Sequence, residues 1–167
     1  MRIRPGGPQD AATIARLIRR LAEFERLSGE VTMDEAALAA GLFGPRPYAE
    51  TLIAEEGGAA AGFALYFHTF STFLGRPGIH LEDLFVLPEM RGRGIGIALM
   101  RELAGIALER GCGRLEWSVL DWNRDAVGFY ERLGARPHRG WTAYRVAGGA
   151  LARLAGPGRG EAEAPVS

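Results

Sequence analysis

The chain has 167 residues and 20 basic residues against 20 acidic ones, a formal net charge of zero; a chain this long buries roughly 68–70% of its unfolded surface in one core. Every basic residue is arginine, which excludes lysine Schiff-base and lysine-nucleophile chemistry, and zero net charge argues against a nucleic-acid role, which draws on a basic surplus. Composition is that of a globular protein, 47% hydrophobic and 24% charged, without a run of about 18 uncharged apolar residues able to span a bilayer.

The opening MRIRPGGPQD lacks the apolar centre of a signal peptide. Arg2–Arg4 starts a short strand, and Gly7-Pro8 reads as a helix entrance with proline pre-set for the first turn. Ile14, Leu17, Ile18, Leu21 and Phe24 recur at helical spacing, predicting an amphipathic helix over 9–27 that Ser28-Gly29 ends. Thr32 followed by Glu35 fits a capping box for a second helix through about Leu42, stopped by Gly44-Pro45-Arg46-Pro47. The period then changes: Tyr48–Glu55 and Ala60–Thr69 read as strands joined at Gly57-Gly58, and Ile79–Val86 as a third. Ile95, Leu99, Leu103 and Ile106 mark one face of a helix closed by Gly111. Arg114–Leu120 is strand-like, Asp125–Leu133 helical, and Trp141–Val146 strand-like. The order β-α-α-β-β-β-α-β-α-β implies a mixed central sheet flanked by helices, an α/β fold. One domain over 1–155 is expected, followed by a loose tail over 156–167, too poor in apolar residues to fold. Cys112, the single cysteine, cannot form an internal disulfide and points to a reducing cytoplasm. His68, His80 and His138 lie apart without paired spacing, so no metal site is expected.

The segment RGRGIG, Arg91–Gly96, sits between the third strand of this group and a helix. Backbone N–H groups at such a helix start, with the helix dipole, form an anion site. Glycine lets a phosphate approach the backbone and tolerates positive φ; Arg91 and Arg93 add charge. A nucleotide-triphosphate loop would need lysine, and the dinucleotide fingerprint would need glycine where the chain has Ile97. What remains is Arg-Gly-x-Gly-Ile-Gly, similar to the acyl-CoA pyrophosphate loop of the GNAT superfamily. HLEDLFVLPEMRGRGIG, the later LDWNRDAVGFYERLGA and the early LAEFE together resemble its diamine N-acetyltransferase branch, which includes spermidine/spermine and thialysine acetyltransferases. With the matching element order, the likeness extends to about Leu154.

The resemblance implies the GNAT fold, acetyl-CoA as cosubstrate, a small-molecule amine acceptor and a homodimer. It assigns the pantetheine arm to the backbone of Leu84, Phe85 and Val86, and the pyrophosphate to Arg91, Gly92, Arg93, Gly94, Ile95, Gly96 and Ile97. Asn123, with the neighbouring Arg124, Asp125 and Ala126, matches a second cofactor contact, and Tyr130 the tyrosine beside the CoA sulfur. Phe24 and Glu25 match residues that hold the amine, while Asp121, Trp122 and Trp141 offer further anionic and aromatic surface for a cation.

A primary amine with a pKa near 10.4 is about one part in two thousand neutral at pH 7, a deficit of roughly 4–5 kcal/mol, so some group must take its proton. Glu82 is the candidate base, directly or through water, and Tyr130, still protonated at neutral pH, the acid for the departing thiolate. On a regular strand Asp83 faces away from Glu82's side; a bulge would reverse that alternation. Two places depart from polyamine-acetylating relatives, which carry acids where this chain has Thr72 and Arg139. An arginine there suits an acceptor with a carboxylate, such as an amino acid resembling thialysine. An acetyltransferase of protein N-termini or of an aminoglycoside-like drug, and an acetyl-CoA sensor without turnover, are the alternatives.

Overall fold

In the computed structural model, residues 1–156 are described; apart from Gly156, the tail expected over 156–167 lies outside the described residues. The chain divides into two compact units, Met1–Leu120 and the part from Asp121 onward.

The first unit holds β1 (Arg2–Pro5), α1 (Ala11–Glu25), α2 (Glu35–Phe43), β2 (Glu50–Glu56), β3 (Ala59–Ser71), β4 (Arg76–Val86), α3 (Ile95–Glu109) and β5 (Leu115–Trp117). The strands form one sheet in the order β1-β2-β3-β4-β5. The first four pair antiparallel with their sequence neighbours, and β5 runs parallel to β4, because a helical crossover, α3, separates them. This is the expected mixed sheet. Gly57 and Gly58, at φ 60° and 83°, make the β2–β3 turn, as a two-residue hairpin loop requires.

Directly opposed residues of paired strands share a face. Ile53, Phe63 and Phe85 lie opposite one another across β2, β3 and β4 and are buried with Ile14, Leu17 and Leu21 of α1 and Leu42 of α2. The apolar stripe read from the sequence thus faces the sheet. The alternate residues, Leu52, Ala64, Tyr66 and Leu81, occupy the other face, where α3 buries Ile95, Leu99 and Leu103.

Two expectations need correction. The N-cap of α2 is Asp34, not Thr32: its carboxylate accepts from the N–H groups of Ala36 and Ala37 at 2.8 and 3.0 Å. An aspartate adjacent to the first helical turn satisfies two of its free donors and adds favourable charge. Trp141–Val146 is not a strand; Trp141 and Tyr144 are 76% and 94% exposed. Strand preference acts through packing against a paired neighbour, and the described residues from Asp121 onward contain no strand. That unit is helical instead, with α4 (Arg124–Arg132) and an unforeseen α5 (Gly148–Ala155) whose Ala-Leu-Ala-Arg-Leu-Ala run has high intrinsic helix propensity.

Candidate active site

β4 leads through a turn at Pro88–Met90 into the glycine loop and α3. Gly92 and Gly94 stand at φ 75° and 80°, a left-handed conformation that costs other residues roughly 1–2 kcal/mol. A Cβ at Gly92 would meet nothing within 4 Å, and one at Gly94 only Ile97 Cγ2 at 4.0 Å; the turn, not crowding, demands glycine here. Gly94 is the N-cap of α3. Its carbonyl receives the first helical bond, from Ala98 N at 3.0 Å, so Ile95, Gly96 and Ile97 present N–H groups without an intrahelical partner. Those donors and the helix dipole suit a pyrophosphate. Arg93 and Arg91 are exposed. Arg91 Nε donates to the Val86 carbonyl at 3.1 Å, and its guanidinium carbon lies 4.3 Å from the centre of the Phe24 ring and 5.8 Å from that of Phe85.

The second feature is an open strand edge. β5 pairs with β4 at Ile79, His80 and Leu81 and stops at Trp117, whereas β4 runs on to Val86. From Glu82 to Val86 the edge of β4 away from β3 therefore carries peptide groups without a strand partner among the described residues, where an extended ligand with amides can pair. Leu87 N donates to Ala61 of β3, so across the trans peptide the Val86 carbonyl points to the open edge. This is the edge assigned to the pantetheine arm through Leu84, Phe85 and Val86. The Phe85 side chain is buried in the α1 cluster, which leaves its backbone for that contact.

The third feature is acidic. Leu65 of β3 pairs with Asp83, but Tyr66 pairs with Leu81, so Glu82 is an extra residue on β4. This bulge reverses the alternation. Leu81, opposite Tyr66, faces α3; Asp83, opposite Leu65, faces α1 with Phe85. Phe24, at the end of α1, stacks tilted on Phe85 at 6.5 Å, and Glu25 follows it. Burial, then the charges of Glu82 and Glu25, push the Asp83 carboxyl up to about 7. Burial also raises Glu25. Glu82 is exposed, with His80 Nε2 3.7 Å from its Oε2. Phe24, Glu25 and Glu82 are thus brought to one face of the sheet, with Asp83, the carboxyl that sequence alternation had turned the wrong way.

In the unit from Asp121, Asn123 is the N-cap of α4 and its Oδ1 accepts from Ala126 N at 3.2 Å, leaving its amide NH₂ as donor. Asp125 lies in the first turn, and Tyr130 follows on the same helix, its ring 5.2 Å from Phe129. Tyr130 is partly exposed rather than buried in a core. Asp121 and Trp122 are exposed, and Trp141 stacks on His138 at 6.2 Å. Among the described residues no three His, Cys, Asp or Glu side chains are grouped to hold a metal ion, and no helix is long and apolar enough to cross a membrane.

Residues 14–135 match the acetyltransferase (GNAT) family. The chain is 41% identical to the thialysine N-epsilon-acetyltransferase of Mus musculus, over 93% of this chain and 97% of that one. It is 31% identical to an L-ornithine N5-acetyltransferase of Arabidopsis thaliana, over 90% and 86%. Among solved structures, an integron cassette protein from the mobile metagenome of V. cholerae superposes with a TM-score of 0.79 at 29% identity, over 93% and 97%.

Proposed function

The chain belongs to the GNAT acetyltransferase family and is an acetyltransferase, and we propose that it acetylates the side-chain amine of a small amino acid resembling thialysine or ornithine. Enzymes of this family use acetyl-CoA, which when bound supplies an acetyl thioester. The open edge at Leu84–Val86 would hold the pantetheine amides and the loop Arg91–Ile97 the pyrophosphate, with Asn123, Asp125 and Ala126 as a further contact. The observation that carries the acceptor class is the group of carboxylates at Glu25, Glu82 and Asp83 beside Phe24, next to that open edge. Carboxylates and an aromatic face attract an ammonium.

Glu82 accepts the amine's proton through the solvent it faces, making the nitrogen nucleophilic, and Tyr130 donates its phenolic proton to the departing sulfur. Trp122, Asp121 and Trp141 add surface for the acceptor. The family resemblance supports a homodimer, and the free thiol of Cys112 suits a reducing cytoplasm. Arg139, exposed in the second unit, favours a carboxylate-bearing acceptor over a polycation, since an arginine in place of an acid reverses an interaction of roughly 4 kcal/mol at 4 Å and an effective dielectric of 20.

The test is a thiol-release assay with acetyl-CoA across thialysine, lysine, ornithine, spermidine, an aminoglycoside and a peptide with a free N-terminus. Thialysine or ornithine should give the highest kcat/KM, and Arg139→Glu should move the preference toward spermidine. A wild-type preference for spermidine, the aminoglycoside or the peptide refutes the amino-acid assignment.

A further inference from the structure

We propose that Asp83 is a catalytic carboxyl of this enzyme, the group that first takes the proton from the acceptor ammonium, with Glu82 relaying that proton to water. The proposal rests on the acetyl-transfer reading and adds the residue that takes the proton before Glu82.

The geometry begins with the bulge. Without the extra residue at Glu82, Asp83 would share the α3 face with Leu81 and be remote from Phe24 and Glu25; with it, Asp83 lies opposite Leu65 on the α1 face. There it is half-buried, yet no hydrogen bond or ion pair holds its carboxyl among the described residues. A half-buried carboxyl that is desolvated and has no partner costs stability, so its presence at a bulge beside the open edge of β4 needs a chemical reason. The titratable and charged groups around it among the described residues are Glu82 on its own strand, Glu25 from α1, and His80 at 3.7 Å from Glu82. β3 presents Leu65 opposite, and Arg91 on the following loop lies over Phe24 and Phe85. Burial first, and then the charges of Glu82 and Glu25, leave Asp83 a stronger base than an ordinary aspartate, half ionised near neutral pH, which is where a general base works best.

The protons balance. The ammonium gives one proton to the Asp83 carboxylate, which passes it through Glu82 to water. The free amine's nitrogen bonds to the acetyl carbon as the carbon–sulfur bond breaks. The second proton leaves the nitrogen for water as the amide forms, Tyr130 delivers its phenolic proton to the sulfur, and the phenolate takes a proton back from water, so one proton is released to solvent per turnover.

The experiment compares wild type, Asp83→Asn, Asp83→Glu and Glu82→Gln, with thialysine or whichever amine the wild type acetylates in the acceptor screen. kcat/KM is followed from pH 5.5 to 9 and acetyl-CoA affinity by calorimetry. Wild type should show an acid limb with a midpoint near 7. Asp83→Asn should lose that limb and about 100-fold or more in kcat/KM while binding acetyl-CoA as before; Asp83→Glu should restore the limb and part of the rate. Glu82→Gln should be slower but keep the limb. In addition, carboxyl-carbon NMR of the ligand-free protein should show a group titrating near 7 that is missing from Asp83→Asn. An Asp83→Asn enzyme with the limb intact and kcat/KM within about threefold of wild type overturns the proposal, as does loss of the limb in Glu82→Gln alone. If the wild type acetylates no amine, the acetyl-transfer reading falls and takes the proposal with it; turnover with an unmoved limb sinks the proposal alone.

Discussion

Asp83 keeps its proton at a pH where an unfolded aspartate has lost it, and that difference acts on stability as well as on chemistry. Its folded pKa, pushed up to about 7 first by burial and then by Glu82 and Glu25, lies above an unfolded value near 3.9. Between those values the folded chain binds more protons than the unfolded one, so stability falls as pH rises from about 4 to 7 and is level above that. Asp83→Asn, which removes the charge and keeps the shape, should therefore be more stable than wild type at pH 8 by roughly 2–4 kcal/mol. The gain should shrink to nothing toward pH 4. Urea unfolding at the two pH values measures it; an equal effect at both would mean that the carboxyl is not held protonated by the fold. A variant more stable and less active than its parent is the usual mark of a functional residue placed against the needs of the fold. Glu50 shows the opposite arrangement: Arg110, bonded to both its oxygens, lowers its pKa, and Tyr66 Oη donates to it at 3.2 Å.

The glycine loop and α3 act as one element, because the loop's backbone aims the helix's first N–H groups. Gly94→Ala forces a side chain into φ 80°, at a cost of about 1–2 kcal/mol that the loop relieves by shifting. KM for acetyl-CoA should rise about tenfold, equivalent to 1.4 kcal/mol, with the acceptor's KM unchanged. Gly105→Ala, in the body of α3 with open space around its Cβ position and an ordinary φ, is the control and should stabilise by up to about 1 kcal/mol. Steady-state kinetics with varied acetyl-CoA decide the matter; an unmoved KM in Gly94→Ala would show that this loop does not hold the pyrophosphate. The loop was readable in the sequence because glycine spacing and a following apolar period are local properties. So were α1, from Ile14, Leu17 and Leu21, and the β2–β3 hairpin, from two adjacent glycines. The bulge at Glu82 was not, since it exists only in the register between β3 and β4, and a strand with one residue too many looks regular until its partner is known. Trp141–Val146 misleads for a related reason: its aromatic and β-branched residues, Trp141, Thr142, Tyr144 and Val146, describe a strand, but pairing is decided elsewhere in the chain. The cap of α2 was misplaced because Thr32 and Asp34 both precede the helix, and the last non-helical residue does the capping.

For the whole molecule, two aspartates with opposite shifts, Asp10 and Asp83, shape the response to pH although the net charge is zero. Arg4 on β1 donates through Nη1 and Nη2 to the two oxygens of Asp10 at 2.7 and 2.8 Å and through Nε to Glu55 of β2 at 2.7 Å. Gly7 N adds a bond to Asp10 at 2.8 Å, so this cluster ties the first strand, the entrance of α1 and the second strand together. Asp10 is 6% exposed, and the Arg4 guanidinium holds its carboxyl below the usual aspartate range. A lowered folded pKa gives stability that is present above the unfolded value, near 3.9, and lost as pH falls through the folded one. Asp10 thus makes the fold weaker on the acid side of pH 4, while Asp83 makes it progressively weaker from 4 to 7; the two together put the maximum of their contribution near pH 4. Arg4→Met leaves Asp10 buried without its cation, which costs about 3 kcal/mol at neutral pH and, for a chain of this length, lowers Tm by roughly 6–12 °C. The same substitution should flatten the acid limb, because a protonated Asp10 no longer misses the guanidinium. Thermal melts of both proteins from pH 3 to 8 should therefore converge at the acid end, and a Tm difference as large at pH 3 as at pH 7 would show that Arg4 stabilises by packing its stem rather than by holding the Asp10 charge.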